Sequence, residues 1–217
     1  MRDQPSITLY GAPTSGNCHK VAQMLGLCGE RAYYRFVNIR AGAQHEPDFR
    51  AISPFGEVPA LVDRTGDSDV RLHQSPLILR YLADKLGLFG AQDEANWLRI
   101  ESWLYFDQNR IMPFIAIKRY LMRFTPEAGN DQVYAFLTAQ SERTLRELER
   151  SLKDSDFLAG PEPTIADIAC SAYLLLADEA DIEISKWPAV ADWLRRMQDL
   201  EGWTKPYDLI GLEDAEI

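Results

Sequence analysis

A proline stands at the entrance of a predicted strand in the stretch Ser53-Pro54-Phe55-Gly56-Glu57-Val58-Pro59-Ala60-Leu61-Val62. Proline has no N–H to donate to a strand ladder, so Pro59 suits the first position of a strand. A cis Val58-Pro59 peptide bond would leave the main-chain N–H and C=O of Val58 facing outward, where an extended peptide can pair with them. An ordinary proline turn is the alternative interpretation of these residues.

Short strands and helical patterns alternate on both sides of this stretch. The order is a strand, a helix, a strand, a short helix, and then a hairpin followed by another helix. The first two strands need a parallel crossover and the last two a tight antiparallel turn, which predicts a small mixed sheet flanked by helices. The predicted strands are residues 7–10, 33–39, 60–62 and 70–72, and the predicted helices are 20–27, 47–52 and 76–86, the last capped by Ser75.

The second half of the chain contains no convincing strand and is typical of an all-α bundle. Residues 95–123 form a helical pattern that Pro113 should kink, and residues 131–152 carry an apolar stripe. Residues 165–177 are apolar on nearly every side, which favours a central position in the bundle.

Charge also divides the chain. There are 10 basic and 9 acidic residues before residue 87 and 13 basic and 24 acidic residues from there on, which gives charges of +1 and −11. Such asymmetry supports two units with different jobs. We therefore predict an α/β domain over residues 1–86, a linker over 87–93 and an all-helical domain over 94–217.

Composition excludes several classes of function. The 217-residue chain has a net charge of −10, which argues against nucleic-acid and anionic-membrane partners. Its start lacks the pattern of a secretory signal, and no apolar run approaches the length of a membrane span, so we expect a cytoplasmic protein. Cys18, Cys28 and Cys170 should be reduced thiols. The scattered histidines and cysteines predict no metal site, and no G-x-G-x-x-G motif indicates a dinucleotide.

A capping box, Thr164-Ile165-Ala166-Asp167, precedes the most apolar helical pattern. The Thr164 hydroxyl and the Asp167 carboxylate should satisfy backbone N–H groups at a buried helix start. We therefore assign Asp167 a structural role rather than a catalytic one.

Two loops place polar side chains at predicted helix starts. Ser15-Gly16-Asn17-Cys18 has the spacing of a redox C-x-x-C motif with Ser15 in the leading position. A serine hydroxyl cannot form a disulfide, but it can donate a hydrogen bond to a thiolate that a ligand brings to this positive helix end. Gln74-Ser75 offers an amide and a hydroxyl at the next helix start, a suitable place for a carboxylate. Plain helix capping is the alternative at both loops.

In this order and spacing, these motifs resemble the cytosolic glutathione transferase superfamily, and specifically a bacterial serine-type (theta/phi/zeta-like) member. The resemblance covers the chain from Ile7 to about Leu209. It implies an α/β thioredoxin-like N-terminal domain and an all-α helical-bundle C-terminal domain. The residues that carry it are Ser15, the stretch 57–61, the pair Gln74-Ser75 followed by 76–82, and the stretch 164–169.

The resemblance implies that a side chain of the first loop activates the glutathione sulfur. Ser15 would donate its hydroxyl to that sulfur, and Asn17 is the second candidate. A nucleophilic Cys18 is disfavoured. Tyr10 lies within a predicted strand and should face the interior, so it does not match the tyrosine of tyrosine-type relatives.

The same resemblance also assigns residues that bind the rest of the glutathione molecule. The main chain of Val58 would pair with the cysteinyl part, and Gln74 and Ser75 would hold the γ-glutamyl group. Gln44 and His45 match the place where related classes bind the glycyl end. An exposed loop histidine is the alternative for His45.

The implied function is that of a glutathione transferase, which activates the glutathione thiolate for attack on a small electrophilic, mostly apolar substrate in detoxification. Glutathione would be a co-substrate, with no cofactor tightly bound, and the protein would form a homodimer. The electrophile would lie between the domains, against Tyr105, Phe106, Arg110 and Phe114, which recur at helical spacing. A core or dimer-interface stripe is the alternative for these four residues.

Two other functions remain open. A glutathione-dependent disulfide reductase would share the same thiolate chemistry. A noncatalytic transferase-like binding protein would keep the fold without the reaction.

Overall fold

The computed structural model describes residues 5–217 and contains two compact units. The first comprises the chain up to Leu88 together with Leu200–Ile217, and the second comprises Phe89–Asp199. The predicted fold class, an α/β thioredoxin-like unit followed by a helical unit, is confirmed. The division differs from the predicted domains of 1–86 and 94–217 in two respects. The boundary lies between Leu88 and Phe89, inside the predicted linker 87–93, and the segment Leu200–Ile217 belongs to the first unit.

The first unit is built around a five-stranded mixed sheet. β1 and β2 are parallel, and the other neighbouring strands are antiparallel, as the predicted crossover and hairpin require. The strands are β1 (Ile7–Gly11), β2 (Ala32–Phe36), β3 (Ala60–Asp63), β4 (Val70–His73) and β5 (Ala215–Glu216), in the spatial order β4-β3-β1-β2-β5.

The strand β5 contradicts the prediction that the second half of the chain contains no strand. It pairs with β2, and two ion pairs join the same segments, Arg31 with Glu216 and Arg35 with Asp214. Two residues of strand carry no recognisable alternation, so the sequence alone gives no signal for β5. These contacts explain why Leu200–Ile217 belongs to the first unit.

Helices cover the sheet of the first unit. α1 and α3 pack on each other and on the sheet, above a core that includes the buried Leu9, Leu61 and Leu79. A smaller cluster joins Val37, Phe49 and Ala60. The helices are α1 (Gly16–Leu27), α2 (Pro47–Arg50) and α3 (Ser75–Leu86), with 3-10 turns at Ile39–Ala41 and Ala43–His45 and a short late helix at Pro206–Leu209.

Local capping explains where these elements differ from the predicted boundaries. α1 begins at Gly16 rather than at residue 20, because the Ser15 side chain caps it. The predicted strand 33–39 ends at Phe36, because the Asn38 side chain accepts a hydrogen bond from the Ala41 N–H and starts a 3-10 turn. The sequence predicts Ser75 as the cap of α3, but Ser75 is the first residue of the helix. Gln74 takes the cap position without a side-chain capping bond.

The second unit is helical throughout. All residues of α7 are buried, which confirms its predicted central position. The predicted helix 95–123 is divided by a π-helical stretch that holds Pro113, because proline has no N–H for the helical ladder and crowds the preceding turn. The helices are α4 (Glu94–Phe106), the π-helical stretch (Asp107–Ala116), α5 (Ile117–Phe124), α6 (Asp131–Ser151), α7 (Ile165–Leu174) and α8 (Pro188–Gln198), with 3-10 turns at Pro126–Ala128, Ala177–Ala180 and Ile184–Lys186.

The predicted capping box opens α7. The carboxylate of Asp167 accepts hydrogen bonds from the Thr164 N–H at 2.9 Å and the Thr164 hydroxyl at 3.1 Å. It also accepts from the Leu158 N–H at 2.8 Å and the Trp193 indole N–H at 3.0 Å. Burial raises the pKa of Asp167, although these four hydrogen bonds oppose that shift. The carboxylate is fully buried and joins α7 to α8 and to the loop that precedes α7.

Across residues 5–217, no helix has both the length and the apolar character that a membrane span requires.

Candidate functional site

Ser15 caps α1 while its hydroxyl proton stays available. The Ser15 Oγ accepts a hydrogen bond from the Cys18 N–H at 3.4 Å, and the Ser15 carbonyl accepts from the N–H groups of Cys18 and His19. No oxygen or nitrogen atom of the described residues accepts a hydrogen bond from the hydroxyl, although the Cys18 sulfur is close enough to accept one. The side chain is half-buried. Capping and donation to a ligand are therefore compatible, because the cap uses the oxygen only as an acceptor.

Cys18 is a core thiol. Its Sγ is fully buried and lies 3.4 Å from the Ala12 N–H. Burial raises the pKa of Cys18 to about 11, and the hydrogen bonds from Ser15 and Ala12 only partly offset that rise. A protonated, inaccessible thiol is a poor nucleophile, which agrees with the expectation that Cys18 is not the reactive group.

Asn17 and Ser75 join the starts of α1 and α3. The Ser75 hydroxyl donates to Asn17 Oδ1 at 3.3 Å, and Ser75 is buried. The amide N–H groups of Asn17 make no hydrogen bond with any part of the chain that the structure describes. Two residues predicted from separate motifs thus meet, and Asn17 keeps donors that could reach a ligand.

Gln74 has an unusual backbone conformation beside this pair. Its φ of 71° lies in the left-handed region, which is uncommon for a residue other than glycine. Its Nε2 donates to the Glu57 carboxylate at 2.8 Å. This hydrogen bond holds the side chain of Gln74 next to the residue that precedes Val58.

Val58 offers an unpaired peptide edge. The Val58-Pro59 bond is cis, the condition that the sequence analysis named. Within residues 5–217, neither the N–H nor the C=O of Val58 takes part in a hydrogen bond, and the residue is half-buried. The preceding Glu57 is fixed, because its C=O accepts from the buried Ser53 hydroxyl at 2.9 Å and its N–H lies 3.4 Å from the same oxygen.

Gln44 and His45 lie against the other side of this loop. Gln44 Nε2 is 3.2 Å from His45 Nε2, and Arg50 Nη2 is 3.5 Å from His45 Nδ1. Gly56 has a φ of 65°, and a Cβ there would lie 2.9 Å from the Gln44 carbonyl oxygen. Only glycine fits that position, so the Gln44-His45 turn sits close to the start of the Val58 edge.

Two charged residues at this edge carried no role in the sequence analysis. Arg50 is exposed and donates to the Pro54 carbonyl at 3.0 Å, but no carboxylate of the described chain pairs with it. Glu57 is exposed and accepts from Gln74. The sequence predicts only that Glu57 lies at the strand entrance and Arg50 in a short helix. Only the folded chain shows that they flank one edge.

Tyr10 is half-buried rather than interior. Its ring meets Phe49 edge-on at 6.2 Å, and one side lines a hollow on the sheet with Thr8, Tyr33 and Arg35. Tyr10 alternates with Leu9 and therefore lies on the sheet face opposite to the main core.

The helical unit brings together three of the four predicted pocket residues. Tyr105, Phe106 and Arg110 line a shallow hollow of about 280 Å³. Phe114 lies elsewhere and packs edge-on against Phe136, with ring centroids 6.1 Å apart. The π-helical stretch changes the angular spacing between Arg110 and Phe114, so the pattern written for an α-helix does not hold across it.

In the described part of the chain, no group of three or more histidine, cysteine, aspartate or glutamate side chains is arranged to hold a metal ion.

Family models match both units. The model described as glutathione S-transferase, N-terminal domain, matches residues 14–85, and the model described as glutathione S-transferase, C-terminal domain, matches residues 131–196. The disulfide-bond oxidoreductase YfcG of Escherichia coli is 30% identical over 199 residues, which cover 88% of this chain and 90% of the relative.

Solved structures agree with these matches. A glutathione S-transferase from Pseudomonas fluorescens superposes with a TM-score of 0.86 at 30% identity, covering 93% of this chain and 98% of that one. A glutathione transferase family member from the same species, solved with two glutathione molecules bound, gives a TM-score of 0.85 at 26% identity and covers 99% and 96% of the two chains.

Proposed function

The chain belongs to the glutathione S-transferase family, and from this premise we propose that it binds glutathione at the Val58 edge and activates the thiol for transfer to a small electrophile. The observation that carries the proposal is the unpaired N–H and C=O of Val58. An extended tripeptide pairs with such an edge as an added strand would. Val58 would bind the cysteinyl residue at the centre of glutathione.

The two ends of glutathione differ in the groups that they need. The γ-glutamyl end would lie against Gln74 and Ser75, where the start of α3 favours its carboxylate. The glycyl end would lie against Gln44 and His45, where the charge of Arg50 favours the second carboxylate.

Ser15 would supply the activation. A free thiol with a pKa near 8.5 is mostly protonated at neutral pH, and only the thiolate is a good nucleophile. A hydrogen bond from the Ser15 hydroxyl and the positive start of α1 would favour the anion, and lowering the pKa by about two units corresponds to about 2.7 kcal/mol. The thiol proton leaves to solvent. The thiolate then attacks the electrophilic carbon to form a thioether, and the bond to the leaving group breaks so that this group departs as an anion, as the halide does from an aryl halide. The Asn17 amide is the second candidate donor.

The electrophile would bind in the helical unit, at the hollow lined by Tyr105, Phe106 and Arg110. Its aromatic walls suit an apolar molecule, and Arg110 supplies one basic end. Phe114, which packs against Phe136 away from this hollow, is left out of the proposed pocket.

Calorimetric titration with reduced glutathione tests this proposal. Repeating the titration in buffers of different ionisation enthalpy counts the protons released. We expect binding with release of most of one proton at neutral pH, and binding of S-methylglutathione, which has no thiol, without release. Binding of glutathione without proton release would contradict activation, and no binding would contradict the site and favour a noncatalytic scaffold.

A glutathione-dependent disulfide reductase is the second candidate. The observation that favours it is the disulfide-bond oxidoreductase of Escherichia coli, which the chain matches over 90% of its length. The glutathione thiolate would attack the glutathione sulfur of a mixed disulfide, so that glutathione disulfide forms and the other thiolate leaves. Turnover with glutathionyl disulfides and little turnover with aryl halides would establish this reaction.

Two further properties follow as proposals. The three cysteines are free thiols, which supports a reducing compartment such as the cytoplasm. We also expect a homodimer, as the family resemblance implies. Sedimentation velocity across the micromolar range tests the dimer, and a monomer throughout would contradict it.

A further inference from the structure

We propose that Glu57 determines the specificity of this site by pairing with the ammonium group of the γ-glutamyl residue. The site would thereby select thiol peptides with a free α-amine. The inference rests on the proposed function, because it concerns the same edge and the same ligand.

The structure fixes the Glu57 carboxylate beside the residues proposed for the γ-glutamyl end. The main chain of Glu57 is held at both its N–H and its C=O by the hydroxyl of Ser53, which is fully buried. The side chain accepts the hydrogen bond from Gln74 Nε2 at 2.8 Å. Gln74 adjoins Ser75, the first residue of α3. The main chain of Glu57 is therefore held in place, and the hydrogen bond from Gln74 keeps the carboxylate close to where that end of the ligand would lie.

The charge of Glu57 is not neutralised by the protein. The side chain is exposed, and no lysine, arginine or histidine of residues 5–217 forms an ion pair with it. Arg50, the cation at the end of α2, contacts the Pro54 carbonyl and His45 instead. His73, next to Gln74, stacks on Phe55 with ring centroids 4.8 Å apart. A cation brought by a ligand would complete this part of the site.

Glutathione carries two carboxylates and one ammonium group. The carboxylates are repelled by Glu57, and the ammonium is the only positively charged group of the ligand that can pair with the Glu57 carboxylate. An ammonium has three donors, and a carboxylate accepts through both oxygens, so Glu57 can bind the ligand while it keeps the hydrogen bond from Gln74. Charge-assisted hydrogen bonds of this kind are stronger than neutral ones.

A purely structural role is the competing explanation, in which Glu57 only orients Gln74. The substitution Glu57→Gln separates the two roles, because glutamine keeps an oxygen that can accept from Gln74 Nε2 but loses the charge. The matched ligands are glutathione and its des-amino analogue, which lacks only the ammonium group.

Calorimetric titration of both ligands into both proteins tests the proposal. We expect the natural protein to bind glutathione about tenfold more tightly than the analogue. Glu57→Gln should weaken glutathione binding about tenfold and leave the analogue unchanged, so the preference disappears. Asp67→Asn is the control, because it removes an exposed carboxylate from the turn between β3 and β4 and should keep the preference.

Two results would overturn the proposal while leaving the proposed function intact. One is equal affinity of the natural protein for both ligands. The other is a Glu57→Gln variant whose affinities for the two ligands fall by the same factor. That result would indicate a structural role through Gln74. Failure of the natural protein to bind either ligand is a different result, and it would overturn the proposed function together with this inference.

Discussion

Three helix starts in this chain use similar residues for two different purposes. At α7, the carboxylate of Asp167 receives four hydrogen bonds inside a fully buried network. At α1 and α3, Ser15, Asn17 and Gln74 are half-buried, and each keeps a polar group that no described residue satisfies. A buried network with every acceptor and donor paired stabilises the fold. An accessible network in which some polar groups lack a hydrogen-bond partner in the protein can bind a ligand through those groups.

The largest expected effect is at the buried start. Asp167→Ala would leave the N–H groups of Leu158 and Thr164 and the indole N–H of Trp193 buried without their acceptor. We expect the free energy of unfolding to fall by about 4 kcal/mol, measured by urea denaturation, while the folded fraction binds glutathione as before.

Asp167→Asn is the matched control for that substitution. It keeps one oxygen acceptor and the shape of the side chain, so it should lose less stability than the alanine variant. A variant that unfolds normally but no longer binds glutathione would break the comparison, because it would make Asp167 part of the ligand site.

Asp63 extends the comparison into the unit that holds the site. This buried carboxylate at the end of β3 binds Lys85, the Thr65 N–H at 2.8 Å and the Tyr81 hydroxyl at 2.7 Å. Burial opposes its ionisation, but the hydrogen bonds from Lys85, Thr65 and Tyr81 prevail and lower its pKa to about 2.

The depressed pKa of Asp63 predicts acid sensitivity. Its folded pKa lies below the unfolded value of about 3.9, so its contribution of about 2.5 kcal/mol is complete above about pH 4 and is lost as the pH falls toward 2. Urea denaturation between pH 2 and 6 should show this slope in the natural protein and a flatter one in Asp63→Asn. Equal slopes in both proteins would contradict the assignment.

Ser15→Ala should change chemistry more than stability. Loss of the hydroxyl would raise the pKa of bound glutathione from about 6.5 toward about 8.5. Because the start of α1 remains, the thiolate fraction and the turnover at pH 7 should fall by at most about 25-fold, or about 2 kcal/mol. Loss of the cap should cost about 1 kcal/mol of stability. The pH dependence of turnover measures the shift directly.

Two variants decide whether Ser15 is the donor. Ser15→Thr keeps a hydroxyl and should restore most of the turnover. If Ser15→Ala keeps full turnover while Asn17→Ala loses it, the donor is Asn17 instead.

The smallest expected effect is at the contact between the starts of α1 and α3. Ser75→Ala removes the hydrogen bond to Asn17 and a hydroxyl proposed to bind the γ-glutamyl carboxylate. We expect glutathione affinity to fall about fivefold, or about 1 kcal/mol, with little change in the pKa of the bound thiol. Ser171→Ala, which removes a buried hydroxyl in the helical unit, is the control and should bind glutathione normally. Equal affinities in natural protein and Ser75→Ala would remove Ser75 from the site.

The sequence predicts those parts of the fold that local patterns encode. Short apolar runs predict the strands at Leu9 and Leu61, and the capping box predicts the start of α7. The structure also brings Asn17 next to Ser75, which the family resemblance placed in one site.

The features that the sequence does not predict depend on contacts between distant segments. β5 is a strand because its backbone pairs with β2, and the ion pairs of Arg31 and Arg35 join the same two segments. The π-helical stretch moves Phe114 off the face that α-helical spacing predicts. Glu57 stands out only once Gln74 is folded against it. No local period carries such information.

The position of β5 in the chain also affects the order in which the first unit can be completed during synthesis on the ribosome. β1 is among the first elements to be synthesised, yet Ala215–Glu216, which closes the β2 side of its sheet, emerges only after the whole helical unit. Until then, β2 presents an open edge to other nascent chains, and open edges recruit foreign strands. The unit that begins synthesis first is therefore the last to be completed.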